Sequence, residues 1–187
     1  MAAAGVTYPI RVHDNEGVFR LVTPLASMAD FDARQAQANP LRVANSGRAG
    51  EVIHHIDSTL ARFRPDLSYR PTTPRVATED IGFSRGFEYY VTFGGRAEAV
   101  ELLQQIRAAF EAENAEVGYV VAEKVTGSGP DLSVFLGARD AADFYANYIG
   151  AIPEGVFPLT QRLAALCYRL ENFNSNRRED LDYQPGN

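Results

Sequence analysis

Apolar positions alternate with polar ones in several short runs of this chain and recur at helical spacing in others. Phe87, Tyr89, Val91 and Phe93 share one side of an alternating run, the pattern of a half-buried strand. Gly94-Gly95 breaks it, and Ala99, Leu103, Ile106 and Phe110 then form one apolar stripe on a helix from Arg96 to about Asn114. Val117 to about Lys124 reads as the next strand. Thr126-Gly127-Ser128-Gly129-Pro130 has turn chemistry, and Asp131 to Leu136 returns as its hairpin partner. Asp140 is placed to cap a helix, since its side-chain oxygen can accept from free backbone N–H groups. A last helix is expected from Val156 to Arg169, before a tail rich in Asn and Arg. The order is β-α-β-β-α.

An earlier stretch repeats part of this pattern. Tyr8 to Ala33 contains a strand, a turn, a second strand and a capped helix start, as Tyr119 to Ala146 does. Arg64-Pro65-Asp66-Leu67-Ser68-Tyr69-Arg70-Pro71 is echoed by Arg178-Glu179-Asp180-Leu181-Asp182-Tyr183-Gln184-Pro185. The offsets between copies, roughly 111, 113 and 114 residues, drift slowly, as small loop insertions would produce. A helix near Gly50 to Arg64, with Val52, Ile53, Ile56, Leu60 and Phe63 on its face, would close the first copy.

The β-α-β-β-α order is the ferredoxin-like plan, with both helices on one face of an antiparallel sheet. Val120, Ala122 and Phe135 make the other face apolar too, so it also needs cover. The expected fold is therefore α+β: tandem ferredoxin-like units with antiparallel sheets packed face to face. Residues 1–71 form an incomplete first unit, 72–86 a linker and 87–187 a second unit with a C-terminal arm. About 32 residues separate Phe87 from Tyr119, whereas only seven precede Tyr8, so the first unit lacks its opening strand and helix. Either a partner supplies that cover or the native start lies upstream of Met1, and the second reading is favoured.

Composition is globular, with 45% hydrophobic and 22% charged residues among 187. A net charge of −6 and scattered arginines argue against a nucleic-acid partner. The single cysteine, Cys167, excludes an intrachain disulfide and lies in a stretch read as apolar helix. The N-terminus lacks the basic and apolar regions of a signal peptide, and no apolar run has the length of a membrane span. The chain as written reads as cytoplasmic and soluble, with a periplasmic or secreted location open if the start lies upstream.

Candidate chemistry is sparse. His54 and His55 are adjacent, so on a helix they point about 100° apart and do not share one metal; no metal site is expected, and the two are candidate ligand-binding residues instead. Tyr89, Tyr90 and Tyr119, on central strands, are candidates for orienting an aromatic ligand, against the plainer role of core packing. Asp66 and Tyr69 recur as Asp180 and Tyr183, which points to structure: the aspartate bonding nearby backbone N–H groups, the tyrosine anchoring an extended arm. No nucleophile–base arrangement or phosphate-binding glycine motif is present.

The duplicated β-α-β-β-α order resembles the dimeric α/β-barrel superfamily, which includes antibiotic-biosynthesis monooxygenase-like and stress-responsive barrel proteins. The helix followed by Arg64-Pro65-Asp66-Leu67-Ser68-Tyr69 is similar to a set of bacterial proteins with no assigned activity. Such a likeness implies a fold and several incompatible functions, so it carries no catalytic residue over. The leading expectation is a binding or assembly protein holding a small apolar ligand, without a cofactor, forming a homo-oligomer through a sheet face or open edge. The alternative is a cofactor-independent monooxygenase-like enzyme acting on an aromatic or polyketide-like substrate.

Overall fold

The computed structural model describes residues 7–15, 17–51 and 53–185. The chain divides into two compact units, Met1–Ile56 with Arg177–Asn187, and Asp57–Asn176. This partition follows contacts, and it differs from the one drawn from sequence repetition.

In the first unit, β1 (Arg11–Asn15) pairs antiparallel with β2 (Val18–Val22) through a turn that uses Gly17 at φ +88°. Among the described residues β2 has no other strand partner, and Val18, Phe19, Leu21 and Val22 are exposed. Helix α1 (Met28–Gly50) starts at a capping box: Ser27 Oγ accepts from Asp30 N at 3.3 Å, and the Asp30 carboxylate accepts from Ser27 N at 3.0 Å. The C-terminal arm returns along β1, where Ile10 and Tyr183 exchange backbone hydrogen bonds of 2.9 Å. Ile10 and Val12 are buried there against Tyr8, Leu41 and Tyr183.

The second unit contains β3 (Thr59–Phe63), β4 (Phe83–Val91), α2 (Arg96–Ala112), β5 (Tyr119–Gly127) and β6 (Leu132–Ala138). It continues with α3 (Ala141–Asp143), which runs into a π-turn (Phe144–Tyr148), then α4 (Val156–Ala165) and β7 (Cys167–Arg177). The strands lie in the order β7-β4-β6-β5-β3, all antiparallel. Taken along the chain, β4-α2-β5-β6-α4-β7 is a ferredoxin-like α+β unit, with β3 added beside β5. The α2 stripe is buried as its spacing requires, with Ala99, Leu102, Leu103, Ile106 and Phe110 packed against Tyr119, Val121, Leu132 and Leu163. Asp140 caps as expected, accepting from Asp143 N at 2.7 Å.

Four expectations are corrected. The helix near Gly50–Arg64 does not form: α1 ends at Gly50, and Thr59–Phe63 is a strand paired with Gly127–Ala122. Pairing to β5 overrides a weak helical period there; the Val52 position lies outside the described residues. The linker 72–86 is shorter, because β4 starts at Phe83 and runs through Gly86. Phe93 is fully exposed beyond the end of β4 rather than on its inner face. Finally, α4 stops at Ala165, and the supposed tail is the long strand β7, which carries Cys167 and completes the ferredoxin-like plan.

Candidate functional site

The helix-facing side of the second unit's sheet is laid out in cross-strand rows. One row reads Tyr119–Leu136–Arg85–Asn174, the next Val121–Val134–Phe87–Asn172, and the third Glu123–Leu132–Tyr89–Leu170. From β5 to β6 these rows are core, and Val121 and Leu132 are wholly buried. At β4 and β7 the character changes. Arg85 is a charged residue inside an otherwise apolar face of β4 (Phe83, Phe87, Tyr89, Val91), and β7 answers it with asparagines.

The Arg85 guanidinium is held by two amide oxygens. Nη1 donates to Asn174 Oδ1 at 2.9 Å, and Nη2 donates to Asn172 Oδ1. Its central carbon lies 5.5 Å from the Phe87 ring centre. Asn174 Nδ2 in turn donates to Tyr145 Oη at 3.2 Å. Tyr145 comes from the π-turn, an insertion that re-aims side chains and often marks a functional site. The neighbouring Phe144 packs on Phe83 at 5.5 Å and stands edge-on to Tyr145 at 5.3 Å. Tyr145, Asn172 and Leu170 are exposed, so this side of the sheet is open to solvent along β7. The set Arg85, Phe87, Tyr145, Asn172 and Asn174 thus combines an oriented cation, amides, a phenol and an aromatic floor.

The five candidates expected from the sequence lie outside this set. Tyr89 is on this same face but in the core, where burial pushes its phenol well above the usual range. Tyr119 is also on this face, under Phe110 at 5.1 Å; burial raises its phenol, and its hydroxyl has no hydrogen-bond partner among the described residues. Tyr90 points to the opposite side, beside Tyr168 at 6.0 Å and Arg169 at 4.6 Å. His54 and His55 belong to the first unit, exposed in the coil after α1. The five residues are therefore not one cluster. Arg85 was hidden in the supposed linker and the asparagines in the supposed tail; alternation of Leu170, Asn172 and Asn174 was the available signal.

Two other polar groupings are structural in form. Glu123, nearly buried, accepts from Arg62 at 2.6 Å, Arg64 at 2.7 Å and Arg96, which ties β5 to β3 and α2. Burial opposes its charge, yet the three guanidinium hydrogen bonds hold its carboxyl down at about 2. A cleft of about 400 Å³ is lined by Pro71–Arg75 and Asn114–Glu116, and none of the Arg85 set lines it. Its cation, Arg75, is already engaged by both oxygens of Asp143, at 2.6 and 2.9 Å. Among the described residues no group of three or more His, Cys, Asp or Glu could hold a metal, and no helix is long and apolar enough to cross a membrane.

No protein-family model matches the sequence, and no curated protein matches it. Solved structures do match in fold. An anthrone oxidase-like protein superposes with a TM-score of 0.71 at 15% identity, over 98% of this chain and 83% of that one. A candidate monooxygenase from Fusobacterium nucleatum gives 0.59 at 12% identity, over 96% and 83%. One from Lactobacillus acidophilus NCFM gives 0.56 at 9% identity, over 98% and 82%. At such identities the likeness is one of fold: this chain is built on the ferredoxin-like α+β plan of anthrone oxidase-like and monooxygenase-like proteins.

Proposed function

We propose that this chain is a cofactor-independent monooxygenase-like enzyme acting on an aromatic, polyketide-like substrate at the Arg85 face. One observation carries the reading: an arginine oriented by Asn172 and Asn174 lies beside Phe87 and Tyr145, on the helix-facing side of the sheet. The fold neighbours support the enzyme over the binding or assembly protein expected first from the sequence, since the names they carry are those of oxygen-using proteins.

The chemistry suits a ring CH₂ flanked by aromatic rings and conjugated to a ring oxygen. Loss of one C–H proton leaves a delocalised carbanion electron-rich enough to react with dioxygen directly. One oxygen atom ends as C=O, and the other leaves as water with both former C–H hydrogens. Negative charge grows on the ring oxygen as the proton departs, and a preorganised donor there lowers the barrier. Tyr145 is such a donor, because its oxygen accepts from Asn174 and its own O–H is left for the substrate. Phe87 supplies the flat apolar surface.

The test is oxygen consumption with an anthrone and a chelator present, without flavin or added metal. Uptake above the uncatalysed rate, reduced about tenfold or more by Tyr145→Phe, is expected. Uptake no faster than autoxidation across a panel of anthrones and naphthols removes the proposal.

The duplication and the homo-oligomer read from the sequence belong to this proposal as well. The first is supported by matching hydrogen bonds at the two arms, Arg64 N to Val121 O and Arg178 N to Val12 O, at 2.9 and 2.8 Å. The second is supported by the open, apolar outer edge of β2.

A further inference from the structure

We infer that the ligand at the Arg85 face is an aromatic acid, and that Arg85 is the residue that takes its carboxylate. The inference rests on the reading of this face as a substrate site. It starts from a charge balance. In the second unit Arg62, Arg64, Arg75, Arg96, Arg107 and Arg169 each have a carboxylate within ion-pair distance. Arg70, Arg139 and Arg85 have none among the described residues, and of these three only Arg85 is half-buried, the other two being exposed. The fixed partners of Arg85 are the neutral amide oxygens of Asn172 and Asn174.

Amide oxygens aim a guanidinium without cancelling its charge. Each of Arg85 Nη1 and Nη2 spends one N–H on an asparagine, which leaves the rest of the planar fork to bind. A carboxylate fits that fork with two parallel hydrogen bonds, whereas a neutral carbonyl takes one. Asn174 cannot swivel freely to compete, because its Nδ2 is committed to Tyr145. Directly beside the fork, Phe87 provides an apolar surface on the same side of the sheet, Leu170 lies two rows from Arg85 on β7, and a ring attached to the carboxylate would lie on Phe87. An arginine kept unneutralised in a chain of net charge −6 is consistent with selection for an anion at this place.

The experiment is a fluorescence titration with anthracene-2-carboxylate and, separately, its neutral carboxamide. Neither has a reactive CH₂, so binding is read without turnover. The acid should bind the wild-type chain roughly ten- to a hundredfold tighter than the amide, the worth of a charge-assisted pair. Arg85→Met should abolish that preference while retaining amide binding, and Arg85→Lys should keep part of it. Equal affinities for acid and amide in the wild type overturn the inference without needing any variant, and so does an undiminished preference in Arg85→Met. Oxygen uptake with a neutral anthrone separates the two readings: uptake with no acid preference leaves the oxygenase standing and removes only the acid.

Discussion

A Cβ placed on Gly86 would fall 2.2 Å from Cζ of Phe173, its register partner across β4 and β7. Only the absence of a side chain lets the ring lie across the strand, where it is buried and packs edge-on against Phe135 at 6.2 Å. Gly86→Ala should therefore cost about 1–3 kcal/mol of unfolding free energy, by overpacking, measured by urea denaturation. In a Phe173→Ala background the same substitution should cost much less, since the clashing ring is gone. Strict additivity of the two changes would show that the clash is relieved elsewhere.

That glycine also explains why the candidate site was not legible in the sequence. A glycine normally weakens a strand, so Gly86 reads as the end of a linker and β4 as starting at Phe87, although the strand begins at Phe83. Arg85 vanished with it. At the other end of the site, β7 alternates in asparagines, which are depleted from strands and common in loops. Both misreadings fall where local preference is overridden, and each hides residues of the polar set. The regular parts were readable: the α2 stripe, the β5–β6 hairpin and the Asp140 cap follow from spacing and capping chemistry alone.

The Glu123 carboxylate gives the stability a defined acid limb. Its carboxyl is held at about 2, against an ordinary value of 4.5, so the folded state favours the ionised form. That stabilisation is complete above pH 4.5 and is lost as pH falls toward 2. Glu123→Gln should lower stability at pH 7, because three guanidinium groups lose their shared carboxylate. It should also flatten the decline between pH 4.5 and 2. A variant whose acid limb superposes on that of the wild type would place the titration on another carboxylate.

The two arms make the same backbone contacts with different side chains. Ser68 Oγ accepts from Val121 N at 2.8 Å, and Asp182 Oδ1 accepts from Val12 N at 2.8 Å. The recurrence of Arg-x-Asp-Leu-x-Tyr was visible in the sequence, but the role of its aspartate was not. Asp66 and Asp180 bond chiefly the arginine two residues earlier, at 2.6 to 2.8 Å, and that pairing holds the Asp66 carboxyl down at about 2. The register also differs from the sequence match by two residues, Ile10 rather than Tyr8 bridging the arm as Tyr119 does. Ser68→Ala should cost about 1–3 kcal/mol by leaving a buried N–H without an acceptor. Amide hydrogen exchange at Val121 should quicken in that variant and stay unchanged at Val12; unchanged protection at Val121 would mean that another acceptor takes over.

Asn174→Asp separates a site built for binding from one built for stability. The new carboxylate would sit where Asn174 Oδ1 now accepts from Arg85 at 2.9 Å, giving the arginine an ion-pair partner in place of a neutral one. A protein that uses Arg85 only to hold β7 to β4 should gain or stay even, within about 1 kcal/mol for a partly exposed pair. A protein that keeps Arg85 unneutralised for an incoming anion should show the same stability together with about a tenfold or greater loss of affinity for anthracene-2-carboxylate. Thermal melting and the fluorescence titration, run on one preparation, read both quantities. Retained acid affinity in a stably folded Asn174→Asp would assign Arg85 to strand pairing and move the ligand's anionic group elsewhere.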